Sequence, residues 1–62
     1  MKVRDAIRMI ENDGWYLVGT RGSHRQYHHP VKKGKVTISG HLGAEMKKGT
    51  LASVRRQAGV KK

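Results

Sequence analysis

Apolar residues in this chain follow a helical spacing at both ends and an alternating spacing in the middle. Near the N terminus they recur three and four positions apart, which forms one apolar stripe on a helix predicted over residues 3–13. A second stripe near the C terminus predicts another helix, starting near residues 49–50. The stripes consist of Val3, Ala6, Ile7 and Ile10 in the first helix and of Leu51, Val54 and Ala58 in the second.

Residues that favour helix ends support both predictions. Asp5 lies in the first turn of the N-terminal helix, where a carboxylate suits the helix dipole. Gly14 is expected to end that helix in a left-handed conformation. In the C-terminal helix, Thr50 is the expected N-cap and Gly59 the expected stop, with Val60 making an apolar contact after it.

Three strands are predicted between the helices. Residues 15–18 are aromatic and β-branched, and the turn signal in residues 19–22 follows them. The second strand covers residues 24–29 and is closed by Pro30. The third, residues 35–39, alternates polar and apolar side chains, so Val36 and Ile38 should face a core. Residues 39–48 are expected to form a loop.

The order α-β-β-β-α predicts a single α+β domain over residues 1–62. A three-stranded antiparallel sheet with both helices on one face is the compact way to bury these stripes. Apolar residues make up 35% of 62 residues, which is sufficient for one small core. A chain of this size buries only about 60% of its unfolded surface, so a marginal stability is expected.

The two faces of the second strand should differ sharply. Tyr27 is its only large apolar residue and should point into the core, which turns Arg25 and His29 to the same side. His24 and His28, with Gln26 between them, then point to the open face that no helix covers. This strand therefore presents two histidines to solvent.

The charge of the chain points to a polyanionic partner. Fourteen Lys and Arg stand against four Asp and Glu, which gives a formal net charge of +10. Residues 1–14 sum to zero, so residues 15–62, in which Glu45 is the only acid, carry the whole excess. RNA, DNA, an anionic membrane or an acidic protein would suit such a surface. No apolar run approaches the roughly 20 residues of a membrane span, so no membrane-spanning segment is expected. A membrane is not among the expected partners.

Metal-dependent hydrolysis does not fit the sequence, because paired metal ions need clustered carboxylates. The four acids are scattered along the chain: Asp5, Glu11, Asp13 and Glu45. His24 and His28 share a face, but four strand residues separate them by about 13 Å, too far for one metal ion. A zinc site that recruits His41 from the loop is an unfavoured alternative. We expect no metal or cofactor, and there is no cysteine for a disulfide.

The sequence also lacks the residue arrangement of a serine catalytic triad. Ser23 precedes His24, but adjacent strand residues diverge and no Asp is placed to orient the imidazole. Metal-free RNA cleavage needs less, because the 2′-OH of the substrate is the nucleophile. The protein supplies only a proton-transfer group and cations for the phosphorane charge. His24, next to Arg25 and just after Arg21, is the candidate; a polar surface histidine is the alternative.

Three segments together resemble a known family. They are Asp-Gly-Trp at residues 13–15, Gly-Ser-His-Arg-Gln-Tyr-His-His-Pro at residues 22–30, and residues 48–59, from Lys-Gly-Thr-Leu to Arg-Gln-Ala-Gly. In this order and spacing they resemble the HicA family, the mRNA interferases of HicA–HicB toxin–antitoxin modules. The resemblance covers nearly the whole chain.

This resemblance implies a double-stranded-RNA-binding-domain-like fold and ribosome-independent cleavage of mRNA by an endoribonuclease. The active-site histidine of the family is the one in Gly-Ser-His, hence His24 here. The resemblance also implies a HicB-like antitoxin that binds the toxin and masks this site. A cytoplasmic location is expected, and the toxin alone is expected to be a monomer.

Further RNA contacts are predicted for basic and polar residues around this histidine: Arg21, Arg25, Gln26, His28, Lys47 and Lys48. Gly22 and Ser23 are expected to serve the turn before it. The alternatives are a non-catalytic RNA-binding module of the same fold and a small basic ribosomal or nucleoid protein. Modules of that fold bind through helix and loop contacts and leave the sheet face idle.

Overall fold

The computed structural model describes residues 1–60 of the 62-residue chain, and the two terminal lysines lie outside the described residues. Its elements, in chain order, are α1 (Val3–Asn12), β1 (Tyr16–Arg21), β2 (His24–His28), β3 (Val36–Ile38) and α2 (Lys48–Ala58). The predicted order α-β-β-β-α is confirmed. The strands form one antiparallel sheet in the order β1-β2-β3.

Helix α1 begins at Val3 as its sequence predicts and ends at Asn12, one residue before the predicted end. The Asp5 carboxylate accepts a hydrogen bond of 3.0 Å from the backbone N–H of Lys2, which satisfies a donor at the start of the helix. At the other end, Gly14 adopts a φ of +112°. The backbone N–H of Trp15 then reaches back to the carbonyl of Ile10 at 3.1 Å, which closes the last turn.

Strand β1 differs from its prediction. It runs over Tyr16–Arg21 instead of residues 15–18, so the expected turn at residues 19–22 is wrong and the turn is formed by Gly22 and Ser23. Trp15 precedes the strand because its ring is buried and its indole Nε1 donates to the Ala58 carbonyl at 3.1 Å. Gly19 continues the pairing after a bulge between Leu17 and Gly19, where one residue is left unpaired.

The predicted sheet faces are confirmed. Tyr27 is only 2% exposed, and Val36 and Ile38 are buried on the same side of the sheet. Helix residues cover this side and complete the core, whose members are Val3, Ala6, Ile10, Trp15, Tyr27, Val36, Ile38, Met46, Val54 and Ala58. Within residues 1–60, no helix covers the opposite face of β2, where His24 and His28 are exposed.

Helix α2 starts earlier than predicted. Its first residue is Lys48 and its N-cap is Lys47, so the assignment of Thr50 as N-cap is wrong. The first turn closes when the N–H of Leu51 bonds the Lys47 carbonyl at 2.9 Å, which leaves Thr50 inside the helix. The predicted stop is confirmed, because Gly59 ends the helix with a φ of +64°. Val60 packs against the core as expected.

The connection between β3 and α2 is tied to the N terminus of the chain. Backbone hydrogen bonds join Val3 to Ala44 and Met46 to Met1, each at 2.9 Å. The N-terminal ammonium lies 2.6 Å from the Glu45 carboxylate. The predicted loop over residues 39–48 therefore contains an ordered return to the first helix, which sets the path of the chain into α2.

Candidate functional site

A tight hairpin presents His24 at the start of β2. Gly22 has a φ of +61°, a conformation that costs a side-chain-bearing residue energy, and together with Ser23 it forms the two-residue turn. The turn makes Arg21 and His24 direct partners across the antiparallel pair. Side chains of such partners share a face, with their Cβ atoms about 4.5–5.5 Å apart. Arg21 and His24 are thus neighbours.

The face that carries these two residues is the open side of the sheet. His24, Gln26 and His28 alternate with the buried Tyr27, so they project away from the core. On the neighbouring strand, Tyr16 lies opposite His28. Among residues 1–60 these side chains and that of Arg21 have no hydrogen-bond or ion-pair partner. They are free to contact a ligand.

No carboxylate faces His24 from the sheet. Residues 16–38, which include all three strands, contain no Asp or Glu. The nearest acid before them in sequence, Asp13, is held by Lys32, whose Nζ lies 2.5 Å from Asp13 Oδ2. After the sheet, Glu45 is engaged by the N-terminal ammonium. The field at the open face is therefore positive, as a phosphodiester ligand requires.

Arg25 lies on the other side of β2 from His24. Its Nη1 donates to the Gly40 carbonyl at 2.9 Å and to the Ser23 carbonyl at 3.3 Å. These bonds tie the hairpin turn to the connection that follows β3. The structure therefore brings Arg21, but not Arg25, to the side of His24, and it engages the Arg25 guanidinium in holding the hairpin.

Lys47 and Lys48 are exposed at the beginning of α2. Lys47 lines an open cavity of about 300 Å³ together with Ser39 and Gly40. Because Gly40 also accepts the hydrogen bond from Arg25, this cavity lies at the same end of the sheet as the hairpin. The two lysines extend the positive surface beyond the strand face.

Histidine and carboxylate side chains do not come together as a metal centre in residues 1–60, where no group of three or more His, Cys, Asp or Glu has that arrangement. His24 and His28 lie at opposite ends of β2. His41 is exposed in the connection after β3.

Comparison with protein-family models matches residues 3–60 of the 62-residue chain to the HicA toxin of bacterial toxin–antitoxin systems. The chain belongs to the HicA toxin family. It therefore has the toxin role in a two-component module, and the match spans all five secondary-structure elements and the Gly22–His24 turn. A search of the curated proteins gave no significant match. Within residues 1–60, this HicA toxin has no helix that is both long and apolar enough to cross a membrane.

The fourth histidine of this HicA toxin has a structural place that the sequence did not reveal. His29 Nδ1 accepts the backbone N–H groups of Val31 and Lys32, both at 3.0 Å. Its Nε2 must then carry the proton, which it donates to the Asp13 carbonyl at 2.8 Å. The ring meets Trp15 edge-on, with centroids 5.2 Å apart. His29 thus joins the end of α1 to the turn after β2.

Lys32 completes this junction. Its ammonium donates to the carbonyls of Ala58 and Gly59, at 3.0 and 3.2 Å, where the negative end of α2 favours a cation. The same group bonds Asp13, and this hydrogen bond, followed by the lysine's charge, holds the pKa of the Asp13 carboxyl below its usual value. One lysine therefore links both helices. In the sequence, Lys32 is only one basic residue in a turn, which gives no indication of this linking role.

Proposed function

We propose that this toxin is a metal-independent endoribonuclease that cleaves mRNA in the cytoplasm, with His24 as its catalytic residue. The observation that supports the proposal most directly is the pairing of exposed His24 with Arg21 on a sheet face without carboxylates. Membership of the HicA toxin family supports it independently. The toxin alone is expected to be a monomer, and since His24 and Arg21 come from one hairpin, this pair needs no second copy.

The reaction proceeds by internal attack of the RNA on itself. The 2′-oxygen forms a bond to the adjacent phosphorus as the 2′-OH loses its proton, and the bond from phosphorus to the 5′-oxygen breaks. The products carry a 2′,3′-cyclic phosphate and a 5′-OH. His24 transfers a proton, either from the 2′-OH or to the leaving 5′-oxygen, and Arg21 stabilises the charge that develops on the phosphorane.

RNA binding relies on the positive surface around the hairpin. Arg21 contacts the scissile phosphate, Gln26 and His28 contact the strand along the sheet, and Lys47 and Lys48 bind flanking phosphates. Arg25 supports the hairpin through Ser23 and Gly40 and adds to the field. Affinity should fall by about 0.7 log units per neutralised phosphate for each log unit of salt.

An acidic HicB-like antitoxin is the partner that we propose for the open face. A chain with a net charge of +10 attracts an anionic protein, and a partner that binds only the folded toxin also stabilises it. Covering His24 would exclude RNA. Hydrogen exchange of the toxin with and without the antitoxin tests this: residues 22–28 should become protected. An interface confined to the helices, with His24 still open, would contradict direct masking.

Cleavage of a labelled single-stranded RNA in excess EDTA tests the nuclease proposal. We expect cut products that carry a terminal cyclic phosphate. Activity that disappears with the chelator and returns with magnesium would contradict the mechanism. RNA binding without any cut product would favour the non-catalytic RNA-binding module.

A further inference from the structure

The open face of the sheet carries an aromatic pair at the end opposite to His24. Tyr16 is 50% exposed and lies directly opposite His28, which is also exposed. The phenol and imidazole side chains leave the same face of the sheet, because antiparallel partners project together. They stand about 13 Å from His24, the length of four strand residues.

Between this pair and His24, the β1 side of the open face has a position without a side chain. Gly19 lies opposite Gln26 in the middle of the face. A Cβ at Gly19 would meet no atom within 4 Å, so the glycine leaves open space that no packing requirement explains. The hydrogen-bonding amide of Gln26 borders this gap. The face therefore carries a row of residues, here called the track, with a positive end at Arg21, a centre without a side chain on β1 at Gly19, and an aromatic end at Tyr16.

We infer that Tyr16 and His28 form a stacking platform for an unpaired nucleobase of the RNA strand whose phosphate lies at His24. This inference rests on the proposed function. Sequence-tolerant single-strand recognition combines positive charge that follows the backbone with aromatic rings on which bases stack. The track supplies both features on one face, and Arg21 marks its positive end. Tyr16 is thus a substrate-binding residue of the toxin.

Single-stranded RNA is the occupant that the charge favours. Residues 16–38 have no acidic side chain, so the platform continues a surface that attracts phosphates. An exposed aromatic ring can equally serve a protein interface. Tyr16→Ala should weaken RNA binding if RNA occupies the platform, and antitoxin binding if a protein does. Loss of a stacked base typically lowers affinity by about 5- to 150-fold.

The test measures RNA affinity and cleavage for Tyr16→Ala, Tyr16→Phe and the matched control Leu17→Ala. Leu17 has the same exposure of 50% but lies opposite Tyr27, on the other side of β1. Single-stranded RNAs that carry 2-aminopurine at successive positions on either side of the cleavage site report stacking through their fluorescence. We expect Tyr16→Ala to raise KM about 5- to 150-fold with little change in kcat and to reduce the fluorescence quenching. Leu17→Ala should resemble wild type, and Tyr16→Phe, which keeps the aromatic ring, should retain the fluorescence quenching that Tyr16→Ala loses.

Gly19→Val provides a second test that does not remove the aromatic pair. Its Cβ enters open space within the folded toxin, so the circular dichroism spectrum should not change. The added side chain obstructs the track, so RNA affinity should fall.

Two results would overturn the platform while the nuclease proposal stands. One is cleavage with the same KM in wild type and Tyr16→Ala. The other is weakened binding of an antitoxin by Tyr16→Ala with unchanged RNA affinity. If the wild type binds RNA without cutting it, the nuclease proposal fails and the same affinity comparison still decides the platform. If the wild type neither binds nor cuts RNA, both proposals fail.

Discussion

His29→Ala should destabilise this toxin far more than substitution of either histidine of the sheet, His24 or His28. The His29 side chain is only 9% exposed and makes three hydrogen bonds, two through Nδ1 and one through Nε2. Each bond contributes about 0.5–1.5 kcal/mol, and the edge-on pair with Trp15 adds a similar amount. Because the freed backbone groups lie near the surface and can bind water, we take the lower part of this range, about 2–3 kcal/mol.

This loss is large relative to the whole fold. At roughly 0.05–0.15 kcal/mol per residue, a domain of this size has about 3–9 kcal/mol of stability. Urea denaturation followed by circular dichroism measures the change, and thermal unfolding should show a Tm lowered by about 8–24 °C. The control is His24→Ala, which removes an exposed ring and should remain within about 0.5 kcal/mol of wild type. Equal stabilities of the two variants would refute the structural role of His29.

Three further predictions concern stability. The Asp13 carboxylate has a lowered pKa in the fold, so its stabilising effect is present above the unfolded pKa and is lost as the pH falls through the folded pKa. When the midpoint of urea denaturation is measured as a function of pH, Asp13→Asn should therefore lose less stability on acidification than wild type. Burial raises the pKa of the Tyr27 phenol, so its contribution to stability is kept below the unfolded pKa near 10 and lost as the pH rises through the folded pKa. Tyr27→Phe should therefore lose less stability at alkaline pH than wild type, and an equal loss in both proteins would contradict this role. Gly59→Ala should cost about 1–2 kcal/mol at a φ of +64°, whereas Gly43→Ala, in open space, should be nearly neutral in the same denaturation assay.

The parts of the fold that follow from local spacing were predictable. The stripe of Val3, Ala6 and Ile10 and the alternation of Val36 and Ile38 each depend on residues near one another in sequence. The orientation of β2 followed from Tyr27 alone, because one buried side chain fixes the side of every neighbour on a strand. His24 could therefore be assigned to the open face before the fold was known.

The parts that depend on distant contacts were not predictable. Trp15 leaves the first strand because its indole bonds Ala58, which lies 43 positions away. Strand β1 instead continues through a bulge to Arg21, and Tyr16 lies exposed on the open face opposite His28. The contacts of His29 and Lys32 with the two helix ends likewise join residues that are distant in sequence, such as Lys32 and Ala58. Charge and residue type give no indication that these two side chains are structural.

The most direct test of the central claim is a single-turnover cleavage measurement at saturating RNA, which separates chemistry from binding. His24→Ala should cleave about 10²–10⁴-fold more slowly than wild type, because it removes a placed proton-transfer group. Its RNA affinity should be nearly unchanged, since binding derives from the positive surface. His28→Ala, on the same face at the far end of β2, should retain a rate close to wild type under saturation. Cleavage at the wild-type rate by His24→Ala, or its abolition by His28→Ala alone, would contradict the assignment of His24 as the catalytic residue.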